Sequence, residues 1–257
     1  YKKLKIKKID YIFHLAALAD IIPSINNPKE YMSVNIQGTV NILEIGRILK
    51  VKKFIYAASA SCYGVASIPT NEKHIINPEY PYAFSKHVGE ECVKHWSKIY
   101  GINFISIRIF NAYGLRSRTN ENYGAVFGVF LKQKLSKKPL TIVGDGRQKR
   151  DFVHVTDVAK AFYLAAKSKV KNQIFNVGSG KPKSINQIAK LFGGKAVNIP
   201  NRPGEPDITQ TDIKKVRKIL NWKPKMKFSE GIKEMIKHID YWKSAPLWEK
   251  KNIAIET

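Results

Sequence analysis

Cysteine is nearly missing from this chain: two residues, Cys62 and Cys92, in a length of 257. Neither stands at a metal-ligand spacing, and two distant thiols make no disulfide framework. Reduced thiols are expected, which fits a cytoplasmic protein. Long apolar runs are also absent. None approaches the ~20 residues that cross a bilayer, so no membrane-spanning helix and no membrane partner are expected. No charged-then-apolar leader opens the sequence, which gives no sign of a secretory signal. Acidic residues are scarce: 20 Asp and Glu stand against 45 Lys and Arg, a formal charge of +25. Internal repeats and low-complexity linkers are lacking too.

What is present is enough for a folded core. The chain is 44% apolar and 25% charged, which argues against disorder and allows one large domain or two small ones. Such a basic balance can mark a nucleic-acid partner. Here the lysines are scattered, and the densest runs, at 2–8 and 214–218, lack interleaved aromatics. They read as solvated surface, with attraction for an anionic nucleotide as a secondary effect and no nucleic-acid partner. A non-enzymatic basic binding protein is the alternative of a different class.

Apolar runs at 9–17, 54–59, 104–110 and 174–177 read as strands of the kind buried on both faces of a parallel sheet. Long amphipathic stretches at 28–50 and 81–100 read as helices, the second with Pro81 at its first position and Gly101 at its C-cap. Further on, 124–135, 184–191, 212–220 and 229–242 read as helices, 140–143 and 151–155 as short strands, and 201–207 as a loop. Thr156 is expected to cap a helix running to about Ser168. Strands alternating with helices indicate an α/β doubly wound parallel sheet. The expected division is 1–115 for that sheet and 116–257 for a smaller α/β lid, with parts of 140–178 returning to the sheet.

Three residues carry the most chemistry. Tyr82 and Lys86 are four apart and share one face if their segment is helical. Ser59 ends the apolar run before them. A tyrosine with its ordinary pKa of about 10 is a poor base near neutrality, and a nearby ammonium lowers that value. Such a set can move a proton on and off an alcohol while a hydride leaves the same carbon. A Tyr-x-x-x-Lys pair also occurs on helices with no catalytic role. The order strand, Ser59, loop with Tyr63-Gly64, helix with Tyr82 and Lys86 is what favours catalysis.

These features belong to a longer series: His14-Leu15-Ala16-Ala17, Asn35 with Gly38-Thr39, Ser59 to Gly64, Tyr82 to Lys86, and Arg108-Ile109-Phe110-Asn111 with Tyr113-Gly114. It continues with Gly144-Asp145-Gly146, Arg150-Asp151-Phe152-Val153-His154-Val155, Asn176-Val177-Gly178-Ser179-Gly180 and Arg202-Pro203-Gly204-Glu205. In this order they resemble the extended short-chain dehydrogenase/reductases, and among them the NAD-dependent nucleotide-sugar epimerases of the UDP-glucose or UDP-N-acetylglucosamine 4-epimerase type. The resemblance implies a Rossmann-like fold, NAD as cofactor, a UDP-sugar substrate and a homodimer built on the helices at 28–50 and 81–100. The family's Gly-rich turn and ribose-binding acid have no counterpart here. With a chain opening on Tyr1 and a basic stretch, this leads us to expect a sheet truncated at its N-terminus and a chain that alone binds NAD poorly.

In the family reading Tyr82 is the base for the sugar 4-hydroxyl, Lys86 lowers its pKa and bonds the nicotinamide ribose, and Ser59 holds the sugar oxygen, with Ser61 beside it. Leu15, Ala16, Ala17, Asn35 and Phe110 would line the cofactor. Asn111, Arg150 and Arg202 would hold the diphosphate, Glu205 the uridine ribose, and Thr141 and Val143 the uracil, while Thr209 would bear on sugar size. His14 reads as a satisfied core or near-cofactor histidine. Ala60 and Ser61 stand where related dehydratases and decarboxylases carry an acid, which favours epimerisation over loss of water or carbon dioxide. Ile109 and Ala19 depart from the pattern of many epimerases and leave the sugar open.

Overall fold

The computed structural model describes residues 8–117, 119, 125–200 and 207–248. In chain order its elements are β1 (Tyr11–His14), α1 (Ile21–Asn26), α2 (Pro28–Tyr31), a π-helical stretch (Met32–Gln37), α3 (Gly38–Ile48), β2 (Lys53–Ser59) and a 3-10 turn (Ala60–Tyr63). Then come α4 (Pro81–Tyr100), β3 (Phe104–Ile109), β4 (Asn111–Tyr113), α5 (Val126–Leu135), β5 (Leu140–Val143), β6 (Lys149–Arg150), β7 (Phe152–His154) and α6 (Val155–Lys167). The chain continues through β8 (Gln173–Val177), β9 (Lys183–Ser184), α7 (Ile185–Phe192), β10 (Ala196–Ile199), α8 (Lys214–Leu220), α9 (Phe228–Lys237) and a closing 3-10 turn (Ile239–Trp242). Two compact units result. One takes the chain up to Phe110, then Val158–Val177 and Asp212–Lys223; the other takes Asn111–Asp157, Gly178–Thr211 and the chain from Pro224.

The first unit holds a four-stranded parallel sheet in the order β1-β2-β3-β8. Its strands are continuous apolar runs because helices cover the sheet. Leu43 of α3 and Val93 of α4 close on Phe54, Tyr56 and Phe104 to form one core. Lys53 enters this sheet nearly buried. Its ammonium donates to the carbonyls of Ala165 (3.0 Å) and Ser168 (2.6 Å), the negative end of α6, which is why a buried cation is tolerated there. The α4 helix runs from Pro81 to Gly101, whose φ of 70° is the left-handed cap that glycine adopts without strain.

Three local expectations need correction. The strand expected over 9–17 ends at His14, because the Asn35 amide accepts from the Leu18 N–H (2.8 Å) and donates to the Leu18 carbonyl (3.0 Å), drawing the chain off the sheet. The helix expected over 28–50 is π-helical through Met32–Gln37, the stretch that carries Asn35 inward. Thr156 lies inside α6 rather than capping it. His154 Nδ1 sits 2.8 Å from the Thr156 hydroxyl and accepts from the Thr156 N–H at 3.4 Å.

The second unit is built from three two-stranded pieces: β5 with β10 and β4 with β7, both parallel, and β6 with β9, antiparallel. Its core is aromatic. Phe127 stacks on Tyr113 at 5.0 Å and meets Phe152 edge-on at 4.9 Å. Ser184 opens α7 with a reciprocal capping box to Gln187, which explains why that helix was readable from its first residue. Among the described residues no helix is long and apolar enough to cross a membrane.

Candidate active site

Ser59, Tyr82 and Lys86 all lie in the first unit, on β2 and the first turns of α4. Ser59 ends β2 in extended conformation and caps the 3-10 turn that follows, accepting from the Ser61 N–H at 3.2 Å and the Ser61 hydroxyl at 2.8 Å. A serine at this point satisfies the start of that turn. Tyr82 packs edge-on against Tyr31 at 6.5 Å. Burial raises the Tyr82 phenol above its ordinary pKa, and hydrogen bonding from Ser59 works the other way. The expected depression by Lys86 is therefore not what governs this tyrosine. The Lys86 ammonium sits 4.5 Å from the centroid of the Tyr56 ring, and burial brings it down to about 8, with Glu90 acting upward.

Asn35, read as a cofactor-side residue, is bonded within the chain on both sides. It is 2% exposed, and its amide donates to the Ser85 hydroxyl at 2.9 Å as well as to Leu18. Ser85 in turn donates to the Tyr82 carbonyl at 2.8 Å. Asn35 thus ties the loop after β1 to the turn that bears Tyr82. That loop presents Leu15 and Ala16 exposed and Ala17 half-buried. Phe110 is buried against Cys62 and Tyr63 of the 3-10 turn. His14 is the satisfied core histidine expected: Nε2 lies 2.9 Å from the Thr39 hydroxyl, and burial, with Lys86 adding, lowers its pKa to about 4.

Beneath the set runs a buried polar network that the sequence did not announce. Glu90, one turn beyond Lys86, pairs with Arg108 of β3 and accepts from Ser106 at 2.6 Å. Arg108 donates on to the Tyr63 hydroxyl at 2.8 Å, which donates to Asn176 at 2.7 Å. A charged residue four places after Lys86, and an arginine inside an apolar strand, were the available signals.

In the second unit, the Asn111 amide faces the Thr209 hydroxyl at 3.4 Å, and that hydroxyl accepts from the Asp151 N–H at 3.2 Å. The Asp151 carboxylate is fully buried. It gathers the N–H groups of Ser179 (2.7 Å), Gly180 (2.9 Å) and Thr211 (2.8 Å), and the Ser179 hydroxyl. Asp151 was quoted in its motif without a role; the structure makes it the knot that fixes the Thr209–Thr211 segment beside Asn111. Arg150 lies on β6, next to that knot. Thr141 is held by Gln133, which donates to its hydroxyl at 2.8 Å, and Val143 packs on the aromatic core. Arg202 and Glu205 lie outside the described residues.

Lys86 also bears on whether these residues suit a nicotinamide cofactor. Its side chain is 5% exposed, with the ammonium over the Tyr56 ring. A nearly buried ammonium with three donors suits a ribose hydroxyl pair.

The sequence profile of the NAD dependent epimerase/dehydratase family matches residues 2–178. The UDP-glucuronate 4-epimerase of Thermodesulfobacterium geofontis is 34% identical over 255 residues, covering 96% of this chain and 74% of the relative. The UDP-glucose 4-epimerase of Mycolicibacterium smegmatis is 32% identical over 238 residues, covering 89% and 75%. Among solved structures, the UDP-N-acetylglucosamine 4-epimerase of Methanobrevibacter ruminantium superposes with a TM-score of 0.84 at 33% identity, covering 91% of this chain and 77% of that one.

Proposed function

Because the chain belongs to the NAD-dependent epimerase/dehydratase family, we propose that it inverts C4 of a UDP-sugar through a transient 4-keto sugar. The observation that carries this reading is the convergence of Ser59, Tyr82 and a desolvated Lys86 on one strand end and one helix. Tyr82 takes the proton from the sugar 4-hydroxyl and returns it after inversion. Its raised pKa keeps the resting group a phenol, and the hydrogen bond from Ser59 works toward proton removal. Ser59 holds the sugar oxygen as it becomes a carbonyl, with Ser61 steadying Ser59. NAD, when bound, supplies a reversible hydride acceptor. Lys86 and Tyr82 would hold its nicotinamide ribose, with Leu15, Ala16, Ala17, Asn35 and Phe110 lining the cofactor.

Asn111, Thr141, Val143, Arg150 and Thr209 serve the UDP-sugar in this reading, together with Arg202 and Glu205. A guanidinium fork suits the diphosphate. Ala60 and Ser61 at the head of the 3-10 turn offer no acid to a leaving hydroxyl, which favours epimerisation over dehydration. The dimer expected from the family draws support from Val34, Ile48 and Phe84, apolar residues exposed on the two long helical stretches. A monomeric mass by light scattering would count against it.

The test supplies the protein with NAD and, separately, UDP-glucose, UDP-N-acetylglucosamine and UDP-glucuronate, and follows the sugar protons by NMR. The C4 epimer of one of them, with no net reduction of NAD, is the expected result. A dehydrated or decarboxylated product in its place would overturn the proposal.

A further inference from the structure

We propose that Tyr56 is the positioning residue for Lys86: its ring face seats the lysine ammonium. This rests on reading Lys86 as the cation that serves Tyr82, and it adds a residue from β2 to that site. A lysine side chain has many rotamers, and a hydrogen-bond acceptor would ordinarily choose among them. Here the ammonium lies 4.5 Å above the Tyr56 ring centroid, over the negative face of the ring quadrupole. The ring itself cannot wander. It is 0% exposed, and its hydroxyl donates to the Lys86 carbonyl at 3.2 Å.

Gly89 completes the seat. A Cβ at that position would overlap the Tyr56 hydroxyl, so glycine in mid-helix is what lets β2 and α4 approach this closely. The ring also meets His14 at 5.8 Å, and His14 bonds Thr39. Among the described residues, the groups shown to act on the ammonium are His14 from β1, Tyr56 from β2 and Glu90 from α4, the last paired with Arg108, with Tyr82 one turn earlier on the same helix. His14 stays neutral near pH 7 because its pKa is about 4, and burial raises that of Tyr56. Lys86 is therefore the cation of this cluster that depends on the ring.

The experiment is a lysine titration by NMR, with ¹³C at Cε, on the full chain. The Lys86 resonance is identified as the one lost in Lys86→Met. Position 56 is then filled with phenylalanine, 4-fluorophenylalanine and 3,4,5-trifluorophenylalanine, which keep the ring's shape while draining its negative face. Lys86 is expected to titrate near 8 in the native protein. The Phe form should stay close to that value, and the trifluoro form should fall by about half to one pH unit, with the monofluoro form between them. A Lys86 titration unmoved across the fluorinated series would overturn the seat, as would a fall already complete in the Phe form. Far-UV circular dichroism and cooperative urea unfolding show that each variant is folded. The readout uses no turnover, so its failure leaves the epimerase reading standing, and failure of that reading leaves this result intact.

Discussion

The two units solve different problems with different materials. In the first, the reactive groups come from one strand end and one helix, and everything around them is locked. Ser59 caps a turn, Asn35 staples a loop, Glu90 is paired with Arg108, and the ring of Tyr56 lies under Lys86. In the second, the candidate binding residues come from β4, β5, β6 and the 207–211 segment, and one carboxylate, Asp151, ties that segment to the turn at Ser179 and Gly180. Proton transfer needs reacting atoms held to a fraction of an ångström, so its residues sit close together in sequence on regular elements. Recognition of a nucleotide sugar needs contacts spread over a long molecule, so its residues come from many segments. Substitutions in the second unit should then retune substrate choice while leaving the chemistry of the first untouched.

The sharpest way to break that contrast is Tyr82→Phe. Turnover should fall by about 10²–10⁴-fold with UDP-sugar affinity little changed; calorimetry beside a kinetic assay checks both halves. Next comes Glu90→Gln, which leaves Arg108 charged and buried at 4% exposure. It should cost about 3–5 kcal/mol in urea unfolding, and replacing Arg108 by Met as well should recover part of that loss. Asp151→Asn presents an amide N–H to donors that need an acceptor. It should weaken UDP binding about tenfold by calorimetry while the Lys86 titration stays put, the reverse of the pattern for Tyr82. The smallest effect concerns His14. Its folded pKa, about 4, lies below the ordinary 6.5, so between these values the unfolded chain binds the proton and the folded chain does not. Stability should rise with pH from about 4 to 6.5 and be lost as the pH falls through that window. A His14→Gln protein should show a flatter acid limb in urea titrations taken across it.

The sequence reading reached furthest where local chemistry decides structure. Pro81 and Gly101 bounded α4 correctly, and the apolar runs of β2, β3 and β8 belonged to one parallel sheet. It fell short where a distant partner decides. The end of β1 depends on an amide 17 residues away from Leu18, and no periodicity shows that. The short α1 helix carries Pro23 and has no side-chain cap, and β10 is a strand with three exposed residues that exists because β5 lies beside it. In the site, Ser59, Tyr82 and Lys86 were legible because their spacing is local. The tuning of Tyr82 was not: burial outweighs the hydrogen bond from Ser59, and burial is a property of the fold. Asp151 and Glu90 were passed over for the same reason, since a carboxylate reads as surface until the donors that surround it are brought together.

The central claim is that C4 inverts by oxidation and re-reduction of one carbon, with its own hydrogen returned from the cofactor. The most direct test gives the protein a UDP-sugar deuterated at C4, in ordinary water with NAD, and examines the epimer by NMR and mass spectrometry. The account predicts that the epimer keeps its deuterium at C4. Replacement of that deuterium by solvent hydrogen during turnover would mean that C4 inverts by proton exchange, and would contradict the role assigned to Tyr82 and Lys86.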